Sequence, residues 1–566
     1  MIAYLGTALV AMALLYPVLR LKQADLAVPL YTNQDVYFHA ALLKNFVEQG
    51  GWYVNPLLGA PGRLELYDFP QLYAAHVPLI RLLALGSRNY AVVMNLFFLA
   101  GFPLVAVSAL FVWRQLGMSY AAAALGGLLF AYLPFHFLRG ESHLFLASYY
   151  FVPLALLVAI WVLRGEELIR FGRGWRCLTA KGAGSLVICA LLAADNPYFA
   201  FFGAFFILVA GLLAVFRYRR RGQAAATAML LLAVIAVLGL NLLPSFLYHR
   251  AHAAIPEATA RQPVEAEVYG LKIAQLLLPV SGHRLEPFRV LKDRYAFGAS
   301  VVRPNEADSA TLGLIASVGF CVLLAWVFLG GGRSGEWRES LGLLTLAGVL
   351  LGTVGGIGAV FAQVVTPQIR SYTRISVFLA FLGLSAVLRL LEEARPRLPQ
   401  ALWYAGLAAL LALGILDQTT PAFVPHYRQI QDDYASDRDF VRRIESSLAP
   451  QARIFQLPYL PFPEGPFVNR MGVYDHLRAS LHSARLRWSY GSLKYSREDQ
   501  WARTAAAKRA PELVQALRAA GFSGIYVDRF GYADQAAALE SELSAVLGGP
   551  PMVSRNQRLA YFPLRR

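Results

Sequence analysis

The first candidate chemistry in this sequence is a carboxylate beside an imidazole. Asp35 and His39 lie four residues apart in "NQDVYFHA", directly after the first long apolar run, so they share one face of a helix. A carboxylate there can act as a general base, and the imidazole can orient it or contact a substrate. Arg370 and Arg374, one turn apart in "IRSYTRIS", supply guanidinium groups whose planar fork suits phosphate.

Further polar residues stand near the ends of apolar runs or in the loops between them. Placing an ionisable group in a membrane costs free energy, so such residues either have a partner or serve a function. Aromatic rings in the same regions could stack on the apolar faces of sugars. The candidates are Asp68, Glu141, His143, Asp195, Tyr198, Lys272, His283, Arg284 and Trp488.

These groups together fit the transfer of a sugar from a lipid phosphate. A base must take a proton from the acceptor hydroxyl, and cations must hold the departing phosphate. We predict Asp35 as the base, with His39, Glu141 and His143 as further catalytic residues. The predicted donor-phosphate contacts are Arg370, Arg374, Lys272, His283 and Arg284, and the predicted acceptor or sugar contacts are Asp68, Asp195, Tyr198 and Trp488. Asp35, Glu141 and His143 are also the candidate ligands of a divalent cation, Mg²⁺ or Mn²⁺.

Each candidate also has a structural interpretation. Glu141 and His143 could cap a helix or pair with Arg139, and the arginines could contact lipid headgroups. Asp68 and the basic second loop fit ordinary loop roles better than catalytic ones. The aromatic run at 486–501, which contains Trp488, fits a docking seam between domains better than a sugar platform.

Composition identifies the elements that must position these residues. The 566 residues are 57% hydrophobic and 15% charged, with a mean hydropathy of +0.47, which indicates a polytopic membrane protein. Eleven apolar runs are candidate spans, near 2–21, 89–113, 118–137, 148–164, 183–195, 197–216, 224–247, 310–330, 340–361, 375–391 and 401–417.

Charge placement predicts the orientation. The net charge of +17 lies in clusters between the runs, a pattern of cytoplasmic loops rather than of nucleic-acid binding. The clusters are 164–176, 217–221, 333–338 and 389–397, and Arg20 and Lys22 depart from the rule. This predicts a multi-pass protein of the bacterial cytoplasmic (inner) membrane whose N-terminus lies on the cytoplasmic side. Cys177, Cys189 and Cys321 have no metal-ligand spacing, so no zinc site or disulfide framework is expected.

Two domains follow from this topology. Residues 1–417 form the predicted transmembrane α-helical domain, with outer loops at 22–88 and 248–309, and residues 418–566 form a predicted soluble α/β domain on the outer face. There, "SDRDFVRRIESSL" predicts an amphipathic helix capped at its start, and "PELVQALRAAGF" predicts a second helix. "ARIFQLPYL" and "SGIYVDRFG" predict strands, and the chain closes with the apolar "LAYFPL".

The layout resembles the GT-C superfamily of integral-membrane glycosyltransferases. The resemblance covers the whole chain in architecture, and at residue level it rests on "NQDVYFHA", "RGESHLFLASYY", "DNPYF" and "IRSYTRIS". It implies a hexosyl- or pentosyltransferase that uses a polyprenyl-phosphate-linked donor and modifies an envelope glycan, lipid or protein. Asp35 matches the superfamily's first-loop catalytic aspartate, and Glu141 stands where many members carry a second-loop aspartate. The chain lacks a WWD-type motif, which makes protein N-glycosylation a poor fit.

Two alternatives remain open from the sequence. A flippase or transporter for lipid-linked sugars would need charges near the membrane midplane and internal repeats, and neither is evident. An O-antigen polymerase or ligase shares the topology and the basic outer loops, so the arginines and histidines do not discriminate against it.

Overall fold

Apolar helices dominate the chain as far as Gln418. The structure, a computed structural model, describes residues 1–170, 178–297, 306–329 and 335–564. Cys177, Arg173, Arg176 and Arg333 lie outside the described residues. Within those ranges each predicted apolar run contains a helix: Ile2–Val18, Tyr90–Gln115, Tyr120–Ala131, Val152–Leu163, Ala180–Asp195, Pro197–Leu212, Gln223–His249, Leu314–Leu329, Gly335–Gly352, Ser376–Ala394 and Gln400–Gln418.

Six helical segments of the described chain are long and apolar enough to cross a membrane. They are Tyr90–Gln115, Tyr120–Ala147, Pro197–Arg217, Gln223–His249, Tyr372–Arg397 and Gln400–Gln418. Several other apolar helices are shorter than the roughly 20 residues that span a bilayer. The number of eleven spans therefore stays a prediction.

The predicted span 118–137 is divided near its outer end. Its first helix ends at Ala131, and a second helix, Pro134–Arg139, starts with its proline in the first turn. Proline has no amide hydrogen and restricts the residue before it, so it favours a new helix start over continuation. This break brings the segment after Arg139 back towards the bundle.

Described members of all four basic clusters meet at one end of the helix bundle. In the cluster 164–176, the guanidinium carbon of Arg164 lies 4.3 Å from the Trp337 ring centroid. Arg217 Nη2 lies 2.8 Å from Glu339 Oε1, which links the cluster 217–221 to the helix beginning at Gly335. Arg338 Nη2 lies 2.6 Å from Glu393 Oε2, close to the cluster 389–397. Their common end agrees with loops on one side of a membrane, and the side that they face stays a prediction.

The loops at the other end form a layer of short helices and one small hairpin. The hairpin pairs strands β1 (Val54–Asn55) and β2 (Leu64–Glu65) in antiparallel register. The α-helices of this layer are Gln34–Gln49, Val77–Gly86, Pro134–Arg139, Leu144–Ala147, Glu265–Val268, Ile273–Leu277, Glu286–Phe297 and Ile357–Val364.

The C-terminal region is an α/β unit with a five-stranded mixed sheet. Its strands are β3 (Arg453–Leu457), β4 (Arg487–Trp488), β5 (Phe522–Asp528), β6 (Met552–Val553) and β7 (Leu559–Pro563), in the order β4-β3-β5-β7-β6. β3 is parallel to β4 and β5, whereas β7 is antiparallel to β5 and β6. The two predicted strands are confirmed as β3 and β5. The α-helices of this unit are Tyr427–Ser446, Leu477–Leu481, Arg497–Ala506, Ala510–Ala519 and Ala537–Leu547.

One helix start in this unit was predicted wrongly. The sequence suggested a cap at Ser436, but the helix begins at Tyr427 and Ser436 is buried within it. Apolar residues at helical spacing, including Tyr427, Ile430 and Phe440, are buried along the longer element. The hydroxyl of Tyr427 donates to the carbonyl of Leu19 at 2.7 Å, so this helix packs against the end of the first apolar helix.

Strand β4 forms the seam between the sheet and the first outer loop. The amide of Trp488 donates to the Leu57 carbonyl at 2.8 Å, and the Ala60 amide donates to the Trp488 carbonyl at 2.9 Å. The Trp488 side chain is fully buried and packs edge-on against Tyr526. Its predicted role as a sugar-stacking platform is therefore wrong, because neither ring face is accessible. The docking interpretation of this aromatic run fits these contacts.

Candidate active site

The helix Gln34–Gln49 positions Asp35 at the outer end of the bundle. Asp35 lies in its first turn, where the helix dipole favours a negative charge, and Gly50 ends the helix at φ +69°. Val36 and Leu43 anchor the helix because both are fully buried. The Asp35 side chain, in contrast, is 43% exposed, so a substrate can reach its carboxylate.

His39 contacts the main chain of Asp35 rather than its carboxylate. His39 Nδ1 lies 3.0 Å from the Asp35 carbonyl oxygen and donates to it, because that oxygen can only accept. Burial lowers the pKa of His39 to about 4, although the bond to the carbonyl opposes that effect. The ring is thus neutral near pH 7. The predicted orientation of the Asp35 carboxylate by His39 is not seen.

Glu306 is the centre of the charged group beside Asp35. Arg139 Nη1 lies 3.0 Å from its Oε2, and Arg374 Nη2 lies 3.2 Å from its Oε1. The Ser371 hydroxyl donates to Oε2 at 2.5 Å, and His143 Nε2 lies 3.8 Å from Oε1. Burial favours a raised pKa for Glu306, but Arg139 and Arg374 outweigh it and hold the pKa well below its usual range. Glu306 is therefore ionised.

His143 connects this centre to Asp35. Its Nε2 lies 4.0 Å from Asp35 Oδ2 and 3.8 Å from Glu306 Oε1. We call Asp35, Arg139, His143, Glu306 and Arg374 the Asp35 cluster. Two arginines face one ionised glutamate there, which leaves excess positive charge next to the exposed carboxylate.

The surroundings of Asp35 make it a stronger base than an ordinary aspartate. Burial is the largest cause that raises its pKa, and the negative charges of Glu306 and Glu464 add to it. The charges of Arg374 and Arg139 oppose these effects, and the resulting pKa is about 6. Such a group is mostly ionised at pH 7 yet accepts a proton readily, which is what a general base requires.

Arg374 and Tyr198 form one wall of the Asp35 cluster. The guanidinium carbon of Arg374 lies 4.1 Å from the Tyr198 ring centroid, a cation–π contact. Tyr198 is held at the start of the helix Pro197–Leu212, where the Asn196 side chain accepts from its amide. Of the predicted acceptor contacts, Tyr198 is the one that directly touches this cluster.

Glu141 is separated from His143. Its side chain is fully buried, and its Oε2 accepts from the Tyr31 amide at 3.0 Å. The structure therefore does not bring the predicted metal ligands Asp35, Glu141 and His143 together. In the described part of the chain no group of three His, Cys, Asp or Glu side chains is placed to hold a metal ion. Two arginines around Glu306 further disfavour a cation there.

Asp195 and Asp68 are engaged in contacts that hold the fold together. Asp195 Oδ1 lies 2.5 Å from His76 Nε2, and both side chains are fully buried. Asp68 Oδ1 accepts from the Ile255 amide at 2.8 Å, which ties the two large outer loops together. Neither carboxylate has a side-chain contact with the Asp35 cluster within the described ranges. The structural interpretation fits both residues better than acceptor binding.

The basic residues of the second outer loop are spread out. His283 is buried, with its Nε2 3.5 Å from Asp417 Oδ1 at the end of the helix Gln400–Gln418. Arg284 beside it is exposed, and Lys272 is the residue directly before the helix Ile273–Leu277. The burial of His283 and its contact with Asp417 favour a structural role over its predicted role as a phosphate contact.

Arg370 lies in a second charged group that joins the two domains. Its Nη1 lies 2.5 Å from Glu265 Oε2, and its Nη2 lies 3.2 Å from Glu464 Oε1. Arg261 also holds Glu464, with Nη2 2.7 Å from Oε1. We call Arg261, Glu265, Arg370 and Glu464 the Glu464 cluster. Glu464 comes from the loop after β3, so the C-terminal domain contributes a charge next to the candidate site.

Sequence reasoning missed Glu306, Arg261 and Glu464 and treated Arg139 only as a local partner. Glu306 stands in "RPNEADSA", close to the start of a predicted span, which was the available signal. Arg261 and Glu464 lie in loops with no such pattern. Only the fold reveals that they meet, because 203 residues separate them in the chain.

Comparison with known proteins gives one set of structural similarities. No protein-family model and no curated protein matches the chain in sequence. The apo crystal structure of the Archaeoglobus fulgidus oligosaccharyltransferase aligns with a TM-score of 0.48 and 12% identity, covering 96% of this chain and 72% of that chain. The same enzyme, AglB, in complex with an inhibitory peptide and a dolichol-phosphate aligns with a TM-score of 0.46 and 12% identity. This alignment covers 99% of this chain and 74% of that chain. Its complex with Zn and sulfate aligns with a TM-score of 0.46 and 11% identity, and the alignment covers 96% of this chain and 70% of that chain.

At such low identity and TM-scores the similarity carries no inference about activity, which must come from the site itself.

Proposed function

We propose that this chain is a membrane glycosyltransferase of the GT-C type. It moves a hexosyl or pentosyl unit from a polyprenyl-phosphate-linked donor to an envelope glycan, lipid or protein. The reaction takes place on the outer face of the bacterial cytoplasmic membrane. The observation that carries the proposal is the exposed Asp35 carboxylate, with a pKa of about 6, beside the buried arginines Arg139 and Arg374 at one end of an apolar helix bundle.

The reaction needs a base on one side of the anomeric carbon and cations on the other. The acceptor oxygen attacks that carbon while its hydrogen passes to the Asp35 carboxylate. The bond from the anomeric carbon to the phosphate oxygen breaks, and the phosphate leaves with both bonding electrons. Arg139 and Arg374 lie where they can stabilise this growing negative charge.

The supporting contacts position these groups. Glu306 fixes both arginines, and the neutral ring of His39 fixes the main chain of Asp35. Tyr198 packs on Arg374 and limits the directions that its guanidinium can take. An apolar bundle next to the site also suits the polyprenyl tail, which needs a hydrocarbon-like environment.

The proposal can be tested with the purified chain in lipid vesicles. The vesicles receive a lipid extract of the native host, which supplies lipid-linked sugars, and an envelope fraction that supplies acceptors. We expect mass spectrometry to show a time-dependent loss of one lipid-linked sugar and release of polyprenyl phosphate. If every lipid-linked sugar persists at its starting level while the protein stays folded, the proposed activity is wrong.

The transfer rate should depend on pH through Asp35. Because the base must be ionised, kcat/KM should rise with pH through about 6 and level off above pH 7. Between pH 5 and pH 7 the ionised fraction, and with it kcat/KM, should rise about tenfold. Glu306, whose pKa is well below its usual range, stays ionised throughout and adds no second step. A flat profile from pH 5 to pH 7 would argue against Asp35 as the base.

A further inference from the structure

Two arginines of the membrane part together hold one carboxylate of the C-terminal domain. Arg261 forms a two-point ion pair with Glu464: Nη2 lies 2.7 Å from Oε1, and Nη1 contacts Oε2. Arg370 donates from Nη2 to the same Oε1 at 3.2 Å. Guanidinium forks bind carboxylate and phosphate oxygens with the same planar geometry. The position between these two arginines is therefore suited to either anion.

The C-terminal domain holds Glu464 there against its backbone preference. Glu464 has φ +54°, in the left-handed region that side chains other than glycine rarely adopt. Its amide donates to the Tyr474 hydroxyl at 3.2 Å, and the Tyr474 ring stacks on Phe38 with centroids 5.4 Å apart. Phe38 lies on the same helix as Asp35, so this loop is packed directly on the element that carries the base.

Glu464 is ionised and is electrostatically linked to Asp35. Burial alone would raise the pKa of Glu464, but the hydrogen bond and charge of Arg261 and the charge of Arg370 hold it below its usual value. The negative charge of Glu464 is also one of the causes that raise the pKa of Asp35. An anion between Arg261 and Arg370 is thus close enough to affect the base.

We propose that Arg261 and Arg370 form a first binding site for the phosphate group of the donor, separate from the contacts that Arg139 and Arg374 make with the leaving phosphate during the reaction, and that Glu464 occupies this first site until the donor arrives. The inference rests on the proposed function and adds Arg261 as a phosphate contact and Glu464 as a competing anion. Binding exchanges one anion for another, and no covalent bond changes in this step. The donor phosphate replaces Glu464 and releases its loop from the arginines.

The test measures the binding of inorganic pyrophosphate to the purified full chain in a non-ionic detergent by titration calorimetry. Glu464→Gln removes the competing charge but keeps the side-chain shape, so its Kd for pyrophosphate should be about tenfold lower than that of the wild type. Adding Arg261→Gln to this variant should abolish the gain. Glu464→Asp keeps the charge but shortens its reach, and it should give a smaller gain.

A matched control comes from a similar ion pair elsewhere in the same domain. Glu540 holds Arg529 at two points, with distances of 2.7 and 2.8 Å. Glu540→Gln should leave pyrophosphate binding unchanged, because it exposes one arginine and not a pair. Thermal unfolding of each variant confirms that the folded chain is being titrated.

The outcomes separate this inference from the proposed function. An unchanged Kd in Glu464→Gln and Glu464→Asp, or an equal gain in Glu540→Gln, overturns the phosphate site even if transfer is intact. Tightened binding in Glu464→Gln without any transfer by the wild type would instead support the site and contradict the transferase.

Discussion

Asp35→Asn should lower the transfer rate about 10²- to 10⁴-fold, the usual contribution of a general base. Asparagine has the same size as aspartate and keeps a hydrogen-bonding oxygen, but it cannot take a proton from the acceptor. Binding of the donor should change little, because the arginines and Glu306 remain in place. The loss should therefore appear in kcat far more than in KM.

The same substitution should not lower the thermal stability of the protein at pH 7. The folded-state pKa of Asp35 is about 6, above its ordinary value, because burial and neighbouring carboxylates disfavour the charged form. At pH 7 the ionised carboxylate is thus a cost to the folded state, and neutral asparagine removes that cost. Initial rates and thermal unfolding of the same preparations measure both effects.

Asp25→Asn is a suitable control for this experiment. Asp25 lies on the same outer loop, is exposed, and accepts a local hydrogen bond from the Ala27 amide. Its substitution should leave the transfer rate within about threefold of the wild type, as expected for a surface position away from special features. Transfer by Asp35→Asn at the level of Asp25→Asn would show that another group is the base.

Glu306→Gln should reduce both stability and activity. It leaves the side chains of Arg139 and Arg374, which are 4% and 9% exposed, without their shared counter-charge. Removing one partner of a buried ion pair lowers the free energy of unfolding by about 3–5 kcal/mol. Because Glu306 is 24% exposed, we expect a loss at the lower end of this range, about 3 kcal/mol. Displacement of the arginines should also slow transfer about 100-fold.

The low pKa of Glu306 also predicts how the stability loss in Glu306→Gln depends on pH. The pKa of Glu306 is depressed in the folded state, so its stabilisation is complete above the ordinary glutamate value of about 4.3 and is lost as the pH falls through the lower, folded-state pKa. The stability difference between wild type and Glu306→Gln should therefore be constant from pH 8 to pH 9, where Glu306 and Asp35, whose pKa is about 6, are both ionised. Chemical denaturation in a non-ionic detergent at these two pH values measures it.

Glu286→Gln serves as the control for Glu306→Gln. Glu286 is 77% exposed, and its carboxylate lies 3.9 Å from Arg289, so its loss should cost less than about 0.5 kcal/mol. Equal effects of the two substitutions would contradict the central position of Glu306.

The sequence predicted the helices well because their signal is local. Each apolar run contains a helix, β3 lies within one predicted strand, and β5 overlaps the other. The errors lie at boundaries that depend on tertiary contacts. The helix Tyr427–Ser446 extends beyond the apparent cap at Ser436 because its first turns pack on the membrane part.

The candidate site was predictable only where one segment carries the chemistry. Asp35 stands on a helix directly after an apolar run, and Arg374 starts another, so both could be recognised from spacing. Glu141 and His143 were grouped because they are two residues apart, yet residues at this spacing in a helical turn face different directions. The contact of Glu306 with Arg139, 167 residues away in the chain, follows from the folded bundle and not from any local pattern.

Trp488 shows the same limitation for aromatic residues. Its segment is rich in rings and charges, which fits a domain seam better than a sugar-binding surface but allows both in sequence. The pairing of β4 with the first outer loop decides between them, because it buries the ring completely.

The measurement that tests the central claim most directly is mass spectrometry of envelope glycans and polyprenyl-linked sugars in the native host. Three strains are compared: a deletion, the deletion complemented with the wild type, and the deletion complemented with Asp35→Asn at equal protein level. We predict that the deletion and the Asp35→Asn strain lack the same sugar on one glycan and accumulate its lipid-linked donor, whereas the wild type restores both. A wild-type glycan profile in the Asp35→Asn strain would contradict Asp35 as the base and would favour a lipid-linked sugar transporter or a polymerase.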